Sequence, residues 1–331
     1  MEFHQAIPVD SDYDDSSSSD GDAASSKYSK YSTQSLTSSI YEYRYENGRR
    51  YAAIKGGEYT LPNDEAEQER LDIIHHIYLM LLEDKLHLAP IDSNPQKILD
   101  IGTGTGIWAI DVGERYPSAQ VIGTDISPIQ PSWVPPNVEF QIDDAELAWT
   151  FKKDSFDLVH IRHMCGAIKD WDELIKQAYR VCKPGGWIDC AEYEMDIFCD
   201  DHTLPDSLEI KKFYVLVNKA VETTGADFTM ADKLKPVLEK TGFTNVHHEL
   251  AKIPVGPWAA NRKLKDMGAY VMMSADTGFE AFGIQLFTNV LGMDLEDARH
   301  VIQMSLKQAR NRHIHGYGKH HLYYGQKPLD E

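Results

Sequence analysis

An acid followed by three closely spaced glycines is the segment of this chain best suited to hold a small ligand. Asp100 precedes Gly102 by two residues, and Gly104 and Gly106 follow at every second position. Residues 97–101 match a buried strand, and a helix begins after the last glycine. Because glycine has no Cβ and adopts positive φ freely, a ligand can approach the backbone of this turn closely. The acid suits a positively charged ligand group.

The spacing of these glycines differs from that of the dinucleotide-binding fingerprint. That fingerprint, G-x-G-x-x-G, leaves room for a pyrophosphate at the helix N-terminus. The G-x-G-x-G turn found here is one residue tighter, which disfavours a dinucleotide-dependent oxidoreductase. A glycine turn alone also fits any tight connection between a strand and a helix, so the argument depends on the acids that follow it.

Acids also follow the next two predicted strands. Asp125 ends the strand 120–125, and the strand 138–142 runs into Asp143 and Asp144. A carboxylate at the carboxyl end of the second strand is placed to accept hydrogen bonds from both hydroxyls of a ribose. Each acid taken alone fits a solvated loop or a helix N-cap. Acids after three consecutive strands instead favour one ligand site at this edge of the sheet.

The fourth predicted strand, 156–161, leads to side chains that suit a second, reacting molecule. Arg162 and His163 follow it directly, and the crevice beyond the strand ends is where open α/β sheets bind ligands. His163 is a candidate general base because an imidazole titrates near neutral pH; the alternative is a loop histidine that only lines the pocket. Arg162 either holds a carboxylate of the reacting molecule or forms a structural ion pair with Asp189 or Glu192.

Strands and helices alternate through the middle of the chain, which predicts a parallel sheet covered by helices on both faces, an α/β fold. Residues 183–186, Lys-Pro-Gly-Gly, indicate a turn that leads into the fifth strand. A later stretch rich in Met and Phe belongs either to the core or to a lid over an apolar ligand. The predicted strands are 97–101, 120–125, 138–142, 156–161, 187–192, 243–253 and 319–326, and the predicted helices are 106–116, 170–182, 231–241, 257–291 and 294–311.

The chain divides into a polar tail and one large domain. Residues 1–40 are rich in Ser and Asp and contain too little apolar surface to offset the entropy of ordering, so we expect a disordered tail. Its role is either to solubilise the protein or to regulate it through phosphorylation. Residues 41–331 form the domain, with an N-terminal cap over 41–92 and a helical insert over 256–316 that can act as a lid.

The cap contains a predicted amphipathic helix. Asn63 or Asp64 is the expected N-cap, because acids follow it in the first turn. Apolar residues then recur at helical spacing and predict the buried face of the helix. These residues are Leu71, Ile74, Ile77, Tyr78 and Leu81.

Composition narrows the classes of partner and compartment. With 331 residues, 42% of them hydrophobic, the chain is long enough for a substantial core. The net charge of −19 disfavours direct binding to a nucleic acid backbone. The four cysteines form no C-x-x-C pair, and we expect reduced thiols. No signal segment or membrane span is predicted, so we expect a cytoplasmic or nuclear protein. The histidine-rich residues 311–321 lack a cysteine pair or carboxylate at ligand spacing, so no metal site is predicted.

From about residue 41 to residue 327, the chain resembles the fungal LaeA-like (UMTA-type) methyltransferases. The resemblance is carried by short motifs that occur in the family's order, each of them modest evidence alone. They are ENGRRY at 46–51, LPNDE at 61–65, RLD at 70–72 with His75, LDIGTGTGIWAID at 99–111, DISPIQP at 125–131, FDLVHIR at 156–162, KPGGW at 183–187 and PVGPW at 254–258.

The resemblance implies a Rossmann-like, seven-stranded class I methyltransferase sheet with an N-terminal helical cap and a helical insert before the last strand. It also implies S-adenosyl-L-methionine (SAM) as the cofactor. In this pattern Asp100 serves the SAM ammonium group, Gly102, Gly104 and Gly106 allow close approach, and Asp125 binds the ribose. The adenine amino group is bound at the position of Asp144, and the neighbouring candidate contacts are Ile126, Asp143 and Ala145.

The cap is expected to contribute two further residues to this cofactor site. Tyr59 and Arg70 are placed to close over SAM, with Arg70 near its carboxylate. The alternative for Arg70 is an ion pair on the helix surface with Glu67.

The family divides into tailoring enzymes of fungal secondary metabolism and nuclear regulators that act with velvet-type proteins. We therefore expect a SAM-dependent methyltransferase whose acceptor is a small molecule, because the helical insert is long enough to form a lid over it. Two alternatives remain open. One is a nuclear regulator with a velvet-type partner, which the acidic tail motivates, and the other is a methyltransferase for basic protein tails, which the net charge of −19 would attract.

Overall fold

The computed structural model describes residues 5–10, 43–52 and 59–329. Its centre is a seven-stranded sheet with the order β5-β4-β3-β6-β7-β9-β8, preceded by a small hairpin of two strands. The bounds of the strands are β1 Tyr43–Glu46, β2 Arg49–Ala52, β3 Lys97–Ile101, β4 Gln120–Asp125, β5 Val138–Ile142, β6 Phe156–Arg162, β7 Cys182–Tyr193, β8 Thr244–Pro254 and β9 Tyr317–Gln326.

The large sheet confirms the predicted α/β fold, with one strand reversed. Strands β3 to β7 pair in parallel, whereas β9 lies antiparallel between β7 and β8. The prediction of a wholly parallel sheet is therefore wrong for β9. The alternation of strands and helices indicates crossovers, but it does not determine the direction in which the chain re-enters the sheet after the long helical insert.

Seven α-helices surround the sheet in the described part of the chain. They are α1 Glu65–Leu81, α2 Ile107–Arg115, α3 Trp171–Val181, α4 Glu209–Thr224, α5 Leu234–Thr241, α6 Arg262–Gln285 and α7 Leu295–Ala309. Helix α4 was not predicted. The insert before β9 consists of α6, a π-helical turn at Leu286–Val290 and α7. Across the described residues, no helix combines the length and the apolar character that a membrane crossing requires.

Helix α1 confirms the predicted N-cap and most of the predicted face. The Asp64 carboxylate accepts a hydrogen bond from the backbone N–H of Glu67, which satisfies one of the free amides of the first turn. Ile77, Tyr78 and Leu81 are buried. Leu71 and Ile74 are only partly buried, because both line cavities described below.

The N-terminal cap contains a hairpin that was not predicted in addition to helix α1. Before α1, the chain forms the hairpin β1–β2, whose Asn47-Gly48 turn has both φ angles positive, 52° and 83°. This dipeptide is a strong hairpin signal that the sequence carried. Arg49 of the hairpin donates two hydrogen bonds to the Asp64 carboxylate, at 2.7 and 2.9 Å, so the hairpin is fixed to the start of α1.

The expectation of a disordered tail over residues 1–40 does not hold for residues 5–10. The backbone N–H of Asp10 donates to the Trp258 carbonyl at 2.8 Å, and the N–H of Ala260 donates to the Pro8 carbonyl at 2.8 Å. Ile7 packs against Trp258. This short apolar segment precedes the Ser- and Asp-rich stretch, and residues 11–40 lie outside the described residues.

The predicted Lys-Pro-Gly-Gly turn lies inside β7 as a bulge. Its register against β6 passes from Phe156 opposite Cys182 to Leu158 opposite Trp187. Four residues therefore loop out of the ladder, with Gly185 at a φ of 78°. The four residues do interrupt the regular backbone, as a turn would, but the strand begins at Cys182, five residues before the predicted start at 187.

Candidate active site

The three glycines of the turn after β3 all have positive φ angles, but they have different structural roles. Gly102, Gly104 and Gly106 have φ angles of 69°, 57° and 81°. A Cβ at Gly102 would lie 2.2 Å from the Met164 sulfur, and Gly102 and Gly104 both line a cavity. A Cβ at Gly106 would lie 2.3 Å from the ring of Phe140. The first two glycines thus shape the cavity, and the third packs against the sheet.

Asp100 lies beneath this turn, where its carboxylate is held by protein groups. One carboxylate oxygen lies 2.7 Å from His160 Nδ1 on the neighbouring strand β6, and the other accepts a hydrogen bond from the Thr103 hydroxyl at 2.5 Å. Asp100 is only 3% exposed. Its place in the structure is a support for the glycine turn, and its direct contact with a ligand ammonium stays a prediction.

Asp125 ends β4 and faces the cavity. Its two carboxylate oxygens accept hydrogen bonds from the backbone N–H groups of Gly104 at 2.9 Å and Ser127 at 2.8 Å. Burial raises the pKa of Asp125 to about 6, since a buried carboxylate loses its hydration. The carboxylate is therefore anchored next to the turn and pointed at the space where a ribose would lie.

Nine of the eleven predicted cofactor residues line one connected space, which we call the cofactor cleft, and Asp100 and Gly106 are absent from its lining. It consists of two adjoining cavities that share Tyr59, Gly102, Asp125 and Met164. One end contains the predicted adenine side, and the other end runs beneath α1. The cleft residues named in the sequence analysis are Tyr59, Arg70, Gly102, Gly104, Asp125, Ile126, Asp143, Asp144 and Ala145.

These residues fit SAM. The glycine cradle at Gly102 leaves no room for a Cβ, the Asp125 carboxylate matches ribose hydroxyls, and Asp143 and Asp144 supply acceptors at the adenine end. Polar groups of α1 and the segment before it stand at the opposite end, where the methionine part would lie. Burial raises the pKa of Tyr59, so its hydroxyl remains a neutral hydrogen-bond donor there.

Arg70 lines the cleft while it is paired with Glu67. Its Nε and Nη2 atoms donate to the two Glu67 carboxylate oxygens at 2.8 and 2.6 Å, and both side chains are buried. The alternative ion pair considered for Arg70 is thus present, at a spacing of three residues. The guanidinium also lies 5.3 Å from the ring centre of Phe282. A ligand carboxylate would meet an arginine whose charge is already largely neutralised.

Arg162 forms neither of the ion pairs considered for it. Its Nη2 lies 3.2 Å from His75 Nδ1, and His75 Nε2 lies 2.9 Å from the Asp111 carboxylate. Burial lowers the pKa of His75, so the neutral ring donates from Nε2 and accepts from Arg162 at Nδ1. Asp189 and Glu192 bind backbone amides instead, those of 88–89 and 164–165.

His163 is held in a left-handed conformation that few non-glycine residues adopt. Its φ is 59°, and its N–H donates to the Ala191 carbonyl at 3.0 Å. The next two amides, of Met164 and Cys165, donate to the Glu192 carboxylate at 2.7 and 3.1 Å. Glu192 is fully buried, and burial raises its pKa to about 7. The strained loop is thereby fixed to the end of β7, as is common at functional sites.

A second cavity, the acceptor cavity, lies on the other side of His163. Its empty space, including the open mouth, is about 900 Å³. Four residues, Arg70, His163, Tyr193 and Phe282, line both this cavity and the cofactor cleft. Most of its wall is apolar and comes from α1, α4, α6 and β8; among these side chains are Ile74, Ile77, Phe213, Ile253, Val271 and Phe279.

The Met- and Phe-rich insert divides between the two roles considered for it. Phe279 and Phe282 of α6 line the acceptor cavity, whereas Met267 and Phe287 belong to the hydrophobic core. Tyr78 and His320 were not predicted as site residues, although both line this cavity. Tyr78 was assigned to the apolar face of α1; a buried tyrosine hydroxyl needs a partner, which is the signal that could have identified it.

Comparison with known proteins gives concordant results. Residues 52–248 match a family described as a methyltransferase domain. The methyltransferase pytC of Aspergillus terreus is 40% identical over 299 residues, which cover 90% of this chain and 92% of pytC. The secondary metabolism regulator LAE1 of Cochliobolus heterostrophus is 35% identical over 289 residues, 86% of this chain and 94% of LAE1. The protein-methionine methyltransferase laeA of Emericella nidulans is 33% identical over 303 residues, 90% of this chain and 79% of laeA.

Proposed function

Since the chain belongs to the fungal family of class I SAM-dependent methyltransferases that includes pytC and laeA, we propose that it methylates an apolar small molecule bound in the acceptor cavity. The observation that carries this proposal is the junction of the two cavities. The acceptor cavity opens onto the cofactor cleft at His163 and Tyr193. A molecule in one space and the cofactor in the other are then side by side.

The residues of the cleft and the cavity divide the work of the reaction. SAM supplies a methyl group that is bonded to a positively charged sulfur. When the methyl group is transferred, the sulfur becomes part of a neutral thioether, which is the leaving group. Gly102 and Gly104 admit the cofactor closely, Asp125 holds its ribose and Asp144 its adenine. The aromatic wall from α4 and α6 excludes water and orients the acceptor, because proximity and alignment supply most of the rate of such a transfer. His163 is the base where the acceptor must lose a proton.

The small molecule is favoured over a protein tail by the shape and chemistry of the cavity. Its wall is built largely from apolar side chains of the chain's own helices, which suits a compact, apolar guest. Its two wall carboxylates are already paired, Glu194 with His321 and Lys319 and Asp196 with Lys211. A basic peptide would therefore find little free negative charge inside the cavity.

The proposal is tested with SAM carrying a labelled methyl group. The purified protein is incubated with a small-molecule extract and, separately, with the desalted protein fraction of a fungal lysate. We expect label in an organic-extractable product. Label in protein alone would contradict the small-molecule acceptor and favour a protein methyltransferase. Asp125→Ala should remove the signal, and Asp297→Ala, an exposed acid on α7, serves as the matched control.

A second candidate function is that of a regulator that binds a protein partner in the nucleus or cytoplasm, for which a velvet-type protein is the proposed partner. Several relatives, LAE1 of Cochliobolus heterostrophus among them, are named secondary metabolism regulators. A surface feature favours it: Trp133 is 89% exposed on the proline-rich loop whose Ile129 lines the cleft, and exposed tryptophans are common in interfaces. Trp133→Ala should then lose partner binding in a pull-down and keep SAM binding. Partner binding that is retained in this variant would contradict this candidate.

A further inference from the structure

Three side chains from distant parts of the chain form a hydrogen-bonded row at the polar end of the acceptor cavity. The Tyr78 hydroxyl lies 2.9 Å from His163 Nε2 and 3.0 Å from His320 Nδ1. Tyr78 comes from α1, His163 from the loop after β6 and His320 from β9. All three line the cavity, so the row is in contact with whatever occupies it.

The two hydrogen bonds of the row are coupled in direction, because both meet at the single hydroxyl of Tyr78. A tyrosine hydroxyl donates one hydrogen bond and accepts others. It donates to one imidazole and accepts an N–H from the other, so only one of the two rings directs a proton at Tyr78. Two arrangements follow. In the first, His163 Nε2 donates to Tyr78 and Tyr78 donates to His320 Nδ1; in the second, both directions are reversed.

The surroundings keep both imidazoles neutral at rest. Burial, His320, Arg162 and Arg70 lower the pKa of His163 well below its usual range. Burial and then His321 lower the pKa of His320 to about 3. Tyr193 packs against both rings, and its own pKa is raised by burial. In the first arrangement His163 Nδ1 has a free lone pair, since Nε2 is committed to Tyr78.

We propose, on the basis of the proposed small-molecule methyltransferase function, that the acceptor atom is the hydroxyl oxygen of a phenol or enol and that Tyr78 and His320 relay its proton away from His163. The acceptor O–H bond breaks and its proton goes to His163 Nδ1. The Nε2 proton of His163 passes to Tyr78, and the Tyr78 proton passes to His320 Nδ1. The oxygen takes the methyl group, and the electron pair of the broken carbon–sulfur bond stays on sulfur.

The charge balance explains why low-pKa histidines suit this task. Before transfer, one positive charge is on the cofactor sulfur; afterwards, one positive charge is on His320 and the sulfur is neutral. The net charge of the buried site is therefore unchanged by the transfer. A histidine with a high pKa would be protonated beforehand and would have no lone pair for the acceptor.

The first test reads the histidine tautomers and needs no methyl transfer. Imidazole nitrogen NMR of the full chain is recorded while 2-naphthol is added. Its hydroxyl should donate to His163 Nδ1, which fixes the first arrangement, so His163 and His320 should both become Nε2–H tautomers. In Tyr78→Phe, His163 should respond and His320 should not. 2-Methoxynaphthalene has the same shape and no donor, and it should shift neither tautomer.

Each outcome of this test bears on the inference. A response of His163 alone in the unmodified protein would overturn the relay. No saturable response of either histidine to 2-naphthol would overturn the assignment of a phenolic acceptor. Because no methyl group is transferred here, these results are distinct from a failure of the labelled-metabolite experiment, which would count against the proposed function itself.

The second test separates a proton relay from a structural role. Tyr78→Phe should lower the rate of methyl transfer to 2-naphthol by roughly 100-fold, the lower end of general acid–base effects. It should affect 2-naphthalenethiol far less, because a thiol ionises near neutral pH without help. An equal loss with both acceptors would indicate a structural role and contradict the relay. Tyr116→Phe is the matched control: it removes a tyrosine–histidine hydrogen bond, to His87 at 3.0 Å, outside both cavities.

Discussion

The cofactor cleft and the acceptor cavity share a boundary but are built in different ways. The cleft is formed mainly by the ends of adjacent strands β3, β4 and β5 and by turns that follow them directly, with α1 at one end. The acceptor cavity is formed by α1, α4, α6 and the ends of β7, β8 and β9, which are far apart in sequence. One site is thus encoded by local segments, and the other by packing between distant ones.

This difference predicts that the two sites respond separately to substitution. Residues of the cleft bind the cofactor through close approach of the backbone and through hydrogen bonds. Residues of the acceptor cavity act mainly by filling space, and its polar groups include the row of Tyr78, His163 and His320. Substitutions confined to one region should therefore leave ligand binding in the other region largely unchanged.

Asp125→Ala should have the largest effect on the cleft. It removes both ribose acceptors and leaves the amides of Gly104 and Ser127 without their present partner. Hydrogen bonds to charged groups contribute about 1.5–3 kcal/mol each, so we expect SAM affinity to fall by roughly 100-fold or more in calorimetric titration. An affinity within threefold of the unmodified protein would contradict the ribose assignment.

Ala275→Phe should affect the acceptor side alone. Ala275 lines the acceptor cavity from α6, and an added ring would occupy the space of the acceptor. We expect the KM for the acceptor to rise about tenfold, the loss of one to two kcal/mol that a filled subsite costs, with an unchanged Kd for SAM. Met273→Phe, on the same helix but 56% exposed, is the control. A parallel loss of SAM affinity would show that the two sites are not separable.

The cleft could be predicted from the sequence because its signals are local. The turn at Gly102, the acid at Asp125 and the acids after β5 each lie within a few residues of a strand end, and the order of the strands places them together. The same reasoning could not show that Asp100 is bound by His160, since that contact depends on the register between two strands.

The acceptor cavity could be predicted only in part. His163 was identified because it directly follows a strand, whereas the Met- and Phe-rich stretch that contains Phe282 was left open between the core and a lid. Tyr78 and His320 were missed, since they are 242 positions apart and their meeting depends on β9 entering between β7 and β8. The antiparallel direction of β9 is the one feature of the sheet that the strand pattern did not determine, and it brings His320 into the cavity.

The pH dependence of SAM binding should report Asp125. Its pKa is raised to about 6 in the protein alone, and the ionised form accepts both ribose hydroxyls. Protons therefore compete with the cofactor: affinity should be constant above about pH 7 and fall by up to tenfold per unit below pH 6. Asp125→Asn should bind weakly with no such slope. A slope retained in that variant would mean that another group titrates.

Glu192 should show its raised pKa in stability rather than in binding. Like Asp125 it accepts two backbone N–H bonds, but it is completely buried and contacts the loop that carries His163. Its pKa is about 7 in the folded protein and about 4.3 in an unfolded chain. Between these values the folded state binds more protons, so the free energy of unfolding contributed by this group decreases as pH rises from about 4 to 7.

Glu192→Gln should remove this decrease, which amounts to about 1–3 kcal/mol. The measurement is urea unfolding of both proteins at pH 5 and pH 8, and the quantity compared is the difference between the two pH values. Asp125 contributes equally to both proteins and cancels. Glu296→Gln, at an exposed position of α7, should keep the full decrease. An identical decrease in Glu192→Gln would mean that the carboxylate is solvated in solution, and the fixed position of His163 would then need another cause.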